Sequence, residues 1–224
     1  MKKMNTPFFL DLSEENRKKL LERGMVETIK KNKVIFQELD EVEYVYIVLD
    51  GFVSIYRNSR YSEVKIMFIL SDHEMINDVV LERNKTSVQA KTMSDTKILK
   101  IKIQDFEALI DDDVEIAKAL YRSLAYKTRR LYHQVGNANG SYPLAKHLAA
   151  KIWKLARDYG EDTPEGRKIK FGVTVTFLSN MLGAKRESTS RALSSMKKDG
   201  FVVYEGLVLI VPDMKRLRQC FERK

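Results

Sequence analysis

The 224 residues contain one cysteine, three histidines and four prolines. With Cys220 alone, a single chain forms no internal disulfide, no four-cysteine zinc site and no cysteine-ligated iron–sulfur cluster. A β-roll enzyme of the cupin type needs a histidine-rich metal centre. Here His133 falls on a long helical segment and His147 in the C-terminal part, which leaves only His73 in the β-rich part. No nucleophile–base arrangement is visible either, so an enzyme is not expected. An axially ligated haem would need a His or Cys, and His73 sits in a turn where a surface role is expected. No apolar run reaches the roughly 18 residues of a membrane span. The start, MKKMNTPFFLDLSEEN, has two lysines but no apolar core of signal length. A cytoplasmic location is expected.

Charge is present but unevenly placed. Residues 140–224 hold 17 Lys/Arg against 9 Asp/Glu, a net of +8, whereas residues 1–139 hold 23 against 22, a net of +1. A polyanion partner is therefore expected for the C-terminal third alone.

Pattern divides the chain in the same way. Residues 13–23 predict a short helix with Ser13 as N-cap. From Gly24 to Ile103 short β-rich runs recur at Lys33–Phe36, Tyr44–Leu49, Phe52–Arg57, Val64–Leu70, Ser87–Lys91 and Lys97–Ile101. Asp50-Gly51 lies between two of them as a hairpin signal. Many short antiparallel strands predict a small sandwich or barrel-like roll. A short helix is expected at residues 105–110. The acidic run Asp111-Asp112-Asp113 then precedes a helix from Val114 to about Val135, roughly 33 Å long. Its apolar stripe is Ile116, Leu120, Leu124, Leu131 and Val135, interrupted at Lys127. Burial against a partner helix in a homodimer through residues 114–135 is favoured over burial in the roll's own core. Residues 136–141, GNANGS, read as a linker. Beyond it come a helix at 142–159, a turn at 162–166, a strand at 169–171, and a two-stranded wing at 201–204 and 207–211. A last short helix opens at Pro212-Asp213. The fold class is thus α+β: an N-terminal β-roll (1–110), a long helix and hinge (111–139), and a C-terminal winged helix-turn-helix module (140–224).

The chemistry concentrates in TVTFLSNMLGAKRESTSRALSSMKKDG, residues 174–200. Two short helices break at Gly183, where the chain turns sharply and the backbones are expected to approach closely. On the second helix Arg186, Glu187, Ser190 and Arg191 span about 140° of one face, while Thr189, Ala192, Leu193 and Met196 fall on the other. A polar, guanidinium-rich face suits a DNA major groove, because Arg bonds guanine bidentately and Glu accepts from cytosine N4. Lys185 and Ser188 flank these readers. Thr174 and Thr176 stand at the start of the first helix, where hydroxyls and free N–H groups bind phosphate. The plain alternative is a solvated face with Glu187–Arg191 and Arg186–Arg191 contacts.

Residues 183–191, GAKRESTSR, together with Tyr46–Gly51 and Arg129-Arg130-Leu131, resemble the Crp/Fnr superfamily of bacterial transcription regulators from about residue 20 onward. The resemblance implies a cyclic-nucleotide-binding-like jelly roll (a double-stranded β-helix), a dimerisation helix, double-stranded DNA and RNA polymerase as partners, and an effector in the roll. In the cyclic-AMP receptor branch the Arg-Glu-x-x-x-Arg pattern reads TGTGA-type half-sites, which implies the same for Arg186, Glu187 and Arg191. Lys185 and Thr189 depart from the pattern, which leaves the outer bases open. The family's nucleotide pocket uses Gly-Glu and Arg-Ser pairs, where this chain has Asn77-Asp78 and Asn84-Lys85. The Thr-Ser pair of the dimer helix falls on Leu131-Tyr132 or Gln134-Val135. Cyclic AMP is therefore not expected. By family position, Ile76, Asn77, Asp78, Asn84, Lys85, Tyr126 and Arg130 would line the effector pocket. A regulator controlled by a protein partner, or by no ligand, is the alternative.

Overall fold

The computed structural model describes residues 6–58, 64–82, 85–138 and 143–222. Two compact units emerge, one of residues 1–57 and 67–140, the other of residues 58–66 and 141–224.

In the first unit a 3-10 turn, Phe8–Asp11, leads into α1 (Glu14–Arg23), whose N-cap Ser13 accepts from the Asn16 N–H. The turn was not legible in the sequence, yet Phe8 and Phe9 are buried. Two sheets follow. One has the order β1 (Met25–Ile29), β7 (Thr96–Lys102), β3 (Tyr44–Asp50). The other has the order β2 (Val34–Phe36), β6 (Gln89–Thr92), β4 (Val53–Asn58), β5 (Val64–Leu70). Sequence reading missed β1, an edge strand whose Met25 and Val26 are exposed and so show no clean alternation.

Asp50-Gly51 does not close a hairpin. β3 pairs with β7 and β4 pairs with β6, so this turn carries the chain from one sheet to the other. Gly51 has φ +106°, and a Cβ there would lie 2.8 Å from the Thr96 hydroxyl oxygen. Conformation and space thus both require glycine. Val45, Ile47, Val53, Ile98, Leu99 and Ile101 form the shared core of the two sheets.

After α2 (Ile103–Asp112), α3 runs from Val114 to Ala138. It is longer than the pattern suggested, because the first three residues of the expected linker (136–138) are helical; the rest of that linker lies outside the described residues. Most of the apolar stripe also differs from expectation. Ile116 and Leu120 are buried in the roll core, and Leu124 and Leu131 pack against it. Val135 is 67% exposed, and so are Tyr121 at 72% and Tyr132 at 74%. At 100° per residue these exposed side chains lie about 55–115° around α3 from the mean direction of the roll-facing row. The stripe serves the roll, and a second face of α3 is left open.

The second unit contains α4 (Leu144–Tyr159), α5 (Val175–Leu182), α6 (Arg186–Lys198) and α7 (Met214–Glu222). A four-stranded sheet runs β10 (Val203–Glu205), β11 (Val208–Val211), β9 (Gly166–Ile169), β8 (Gly160–Thr163). Residues 160–169 were expected to hold a turn and a single strand end. Instead they form a full hairpin, held as sheet by the pairing of β9 with β11. Leu148, Ile152 and Leu155 of α4, Leu178 of α5, Leu193 and Met196 of α6, and Leu217 of α7 are buried.

Candidate nucleic-acid interface

α5 and α6 are set by local chemistry. Thr174 caps α5 by accepting from the Phe177 N–H at 2.9 Å. This leaves the hydroxyl proton of Thr174 free to donate outward, and both Thr174 and Thr176 are exposed. Gly183 ends α5 at φ +63°. A Cβ at Gly183 would meet nothing within 4 Å, so the left-handed backbone, not a close approach, selects glycine.

α6 then starts at Arg186. Thr189, Leu193 and Met196 turn inward, and the Thr189 hydroxyl donates to the Lys185 carbonyl at 3.1 Å. Thr189 is therefore tied into its own helix and is not available to read bases. Lys185, Arg186, Glu187 and Arg191 are exposed, while Ser188 and Ser190 are half-buried. Among the described residues no ion pair joins Glu187 to Arg191; the Arg191 guanidinium donates to the Ser188 hydroxyl at 3.3 Å instead. The face is solvent-exposed, as the plain alternative also has it, but without the Glu187–Arg191 contact. Lys185 at the N-cap offers no side-chain acceptor to the first-turn N–H groups. Cations beside a helix N-terminus are opposed by its dipole, by about 0.3–1 kcal/mol each. The face is electrostatically suited to an anion. By contrast the wing tip, Glu205-Gly206-Leu207, carries no cation. Behind α6, Arg216 stacks over Phe201 at 4.6 Å and donates to the Asp199 carbonyl.

Several of the residues expected to line an effector pocket are engaged with the chain itself. Asn77 is 2% exposed, donates to the Tyr44 carbonyl and accepts from the Tyr46 N–H, both at 2.8 Å. It substitutes for a strand along β3. Asp78, 3% exposed, pairs with Lys127 at 2.8 Å and accepts from the Ser123 hydroxyl at 3.0 Å. The lysine that interrupts the apolar stripe thus has a buried partner that sequence reading had not identified. Ile76 is buried in the core. Tyr126 and Arg130 do meet, with the guanidinium 5.5 Å from the Tyr126 ring and 4.8 Å from that of Phe68. Arg130 also lies 3.9 Å from Glu74. Burial pushes the Glu74 carboxyl up, against the opposing pull of the Ser71 N–H, Arg130 and Lys127. Lys85 is exposed and pairs with Glu41. Asn84 lies outside the described residues. Among the described residues no three His, Cys, Asp or Glu side chains are grouped to hold a metal, and no helix is long and apolar enough to cross a membrane.

Residues 26–113 match the cyclic nucleotide-binding domain family, and residues 146–220 match the Crp-like helix-turn-helix domain. The CRP-like cAMP-activated global transcriptional regulator of Mycobacterium tuberculosis is 21% identical over 188 residues, 84% of each chain. The HTH-type transcriptional regulator ArcR of Staphylococcus epidermidis is 27% identical over 179 residues, 75% of this chain and 74% of its own length. Among solved structures, FixK2 from Bradyrhizobium japonicum superposes with a TM-score of 0.73 at 19% identity, covering 90% of this chain and 98% of FixK2. A cyclic nucleotide-binding module, a long helix and a Crp-like helix-turn-helix therefore follow one another along the chain, and it belongs to the Crp/Fnr superfamily of transcription regulators.

Proposed function

We propose that the protein is a homodimeric, sequence-specific DNA-binding regulator that reads an inverted repeat with TGTGA-like half-sites. The observation that carries this is the face of α6, where Arg186, Glu187 and Arg191 are exposed and form no ion pair with one another. Arg186 and Arg191 would bond guanines, and Glu187 would accept from cytosine N4. Thr174, Thr176, Lys185 and Ser188 would hold the flanking phosphates, with Ser190 at the groove floor. The open face of α3, with Tyr121, Thr128, Arg129 and Tyr132 along one groove, suits a second copy of the same helix. A twofold axis would then place two α6 helices in successive major grooves about 34 Å apart. RNA polymerase is the proposed downstream partner, and action is by binding and not by catalysis.

The test is an anisotropy titration of the full chain against a TGTGA-type inverted-repeat duplex and a scrambled duplex. Arg186→Ala and Arg191→Ala should each remove about 1–3 kcal/mol of discrimination. Unchanged affinity and base preference in both variants would refute the reading.

Control of this activity has two readings. An effector bound in the roll would reposition α3 and with it the recognition helices. The ligand-independent alternative is favoured by one observation: Asn77 and Asp78, at the family's pocket position, are buried and engaged with the chain itself.

A further inference from the structure

We infer that Lys127 is a built-in stand-in for an effector: seated on Asp78 and the Met75 carbonyl, it fixes α3 on the roll, so that DNA binding needs no small ligand. This rests on the DNA-binding reading above. Lys127 Nζ lies 2.8 Å from Asp78 Oδ2 and donates to the Met75 carbonyl at 2.7 Å. The lysine side chain is 12% exposed and the aspartate 3%. Ser123, one turn earlier on α3, donates to the same carboxylate oxygen. One turn later Arg130 lies over Phe68 and near Glu74, and a further turn on Gln134 donates to the Met67 carbonyl at 2.7 Å. Ser123, Lys127, Arg130 and Gln134 share one face of α3, and all four reach residues 67–78.

Two physical points give this row its meaning. A buried ion pair adds little net stability compared with a well-packed apolar pair, and its best-attested use is to set register. Within this row Lys127 helps define where α3 sits along the roll, because drawing it away leaves the Asp78 carboxylate buried without its present cation. Furthermore, an anionic ligand entering between roll and helix would have to take Lys127 from Asp78, so the protein's own cation blocks the place that an effector would use.

The experiment uses the full chain, unfolded in denaturant, dialysed and refolded without small molecules, then titrated with the inverted-repeat duplex. The refolded protein should bind within about twofold of untreated protein, and added cyclic AMP or cyclic GMP should change nothing. Lys127→Met should weaken binding at least about tenfold, and Lys127→Arg should restore most of it. Hydrogen exchange provides a readout independent of DNA, since Lys127→Met should raise exchange in residues 123–134 and 67–78 together. Should Lys127→Met disturb folding, Gln134→Ala, which removes only the Met67 tie, should give a smaller loss in the same direction. Refolded protein that binds about tenfold more weakly until a cyclic nucleotide is added would overturn the inference. So would a folded Lys127→Met variant with wild-type affinity, or wild-type exchange in that variant. Failure of the Arg186 and Arg191 variants to change base preference would instead strike the DNA-binding reading and leave the exchange result standing.

Discussion

Replacing Asn77 by alanine separates a structural amide from a ligand contact. The side chain completes two backbone groups of β3, the Tyr44 carbonyl and the Tyr46 N–H. It is 2% exposed, so water does not readily replace it. Each buried backbone group left unpaired costs about 1–3 kcal/mol, so Asn77→Ala should destabilise the roll by about 2–6 kcal/mol. That is a large share of the 5–15 kcal/mol typical of a whole domain. The assay is urea denaturation followed by two probes. The single tryptophan, Trp153, lies on α4 and reports the C-terminal unit. Far-ultraviolet circular dichroism reports both units, so a roll transition moving to lower urea should appear there while the Trp153 transition holds. Asn77→Asp sharpens the test. Its carboxylate still accepts from Tyr46 but opposes the Tyr44 carbonyl, and on protonation it can donate again. Its deficit should therefore shrink as pH falls. An Asn77→Ala midpoint within about 0.5 kcal/mol of wild type, the range of ordinary surface substitutions, would refute the strand-substitute role.

The other expectations concern separate parts of the chain. Gly183→Ala should cost about 1–2 kcal/mol from the left-handed backbone alone, and Gly183→Asn clearly less, read as the shift of the Trp153 transition; equal costs would contradict the conformational argument. Glu74 is held above the usual carboxylate range by burial, so the folded state binds its proton more tightly than the unfolded state. Its stabilising contribution is fully present below about pH 4.3 and is lost as pH rises through the raised value. Glu74→Gln should accordingly raise the thermal midpoint at neutral pH and make no difference in acid, and a lowered neutral midpoint would reverse the sign. Tyr121→Glu with Tyr132→Glu should convert a dimer into a monomer by light scattering and weaken duplex binding, whereas an unchanged dimer mass would place the interface elsewhere.

How much was legible varies by element. The positions of α1, α5, α6 and most strands followed from caps, glycine and alternation. Ser13 caps through the hydroxyl expected of it, while Thr174, expected as a phosphate contact, also turns out to cap α5. Lys127 was visible only as a flaw in an apolar stripe, since nothing near it in sequence marks Asp78 as its partner. Asn77 and Asp78 were assigned to a pocket by family position, and their polar contacts run to β3 and α3 respectively. The wing was expected, but its extension through β9 and β8 was not. Gly160-Glu161-Asp162-Thr163 has little strand propensity and is sheet because of its partner.

By itself, the sequence determined the helix pair and the polar, arginine-bearing face of α6. Helical hydrogen bonds, capping and the left-handed turn at Gly183 all act within about four residues, so local composition suffices. The charge split needed no structure either. Only tertiary structure decided that Asp50-Gly51 turns a corner between sheets, that the α3 stripe belongs to the roll, and that Lys127 reaches Asp78. Strand partners and buried ion pairs lie tens of residues apart in the chain, and the choice among them is made by which packing leaves no buried group unpaired.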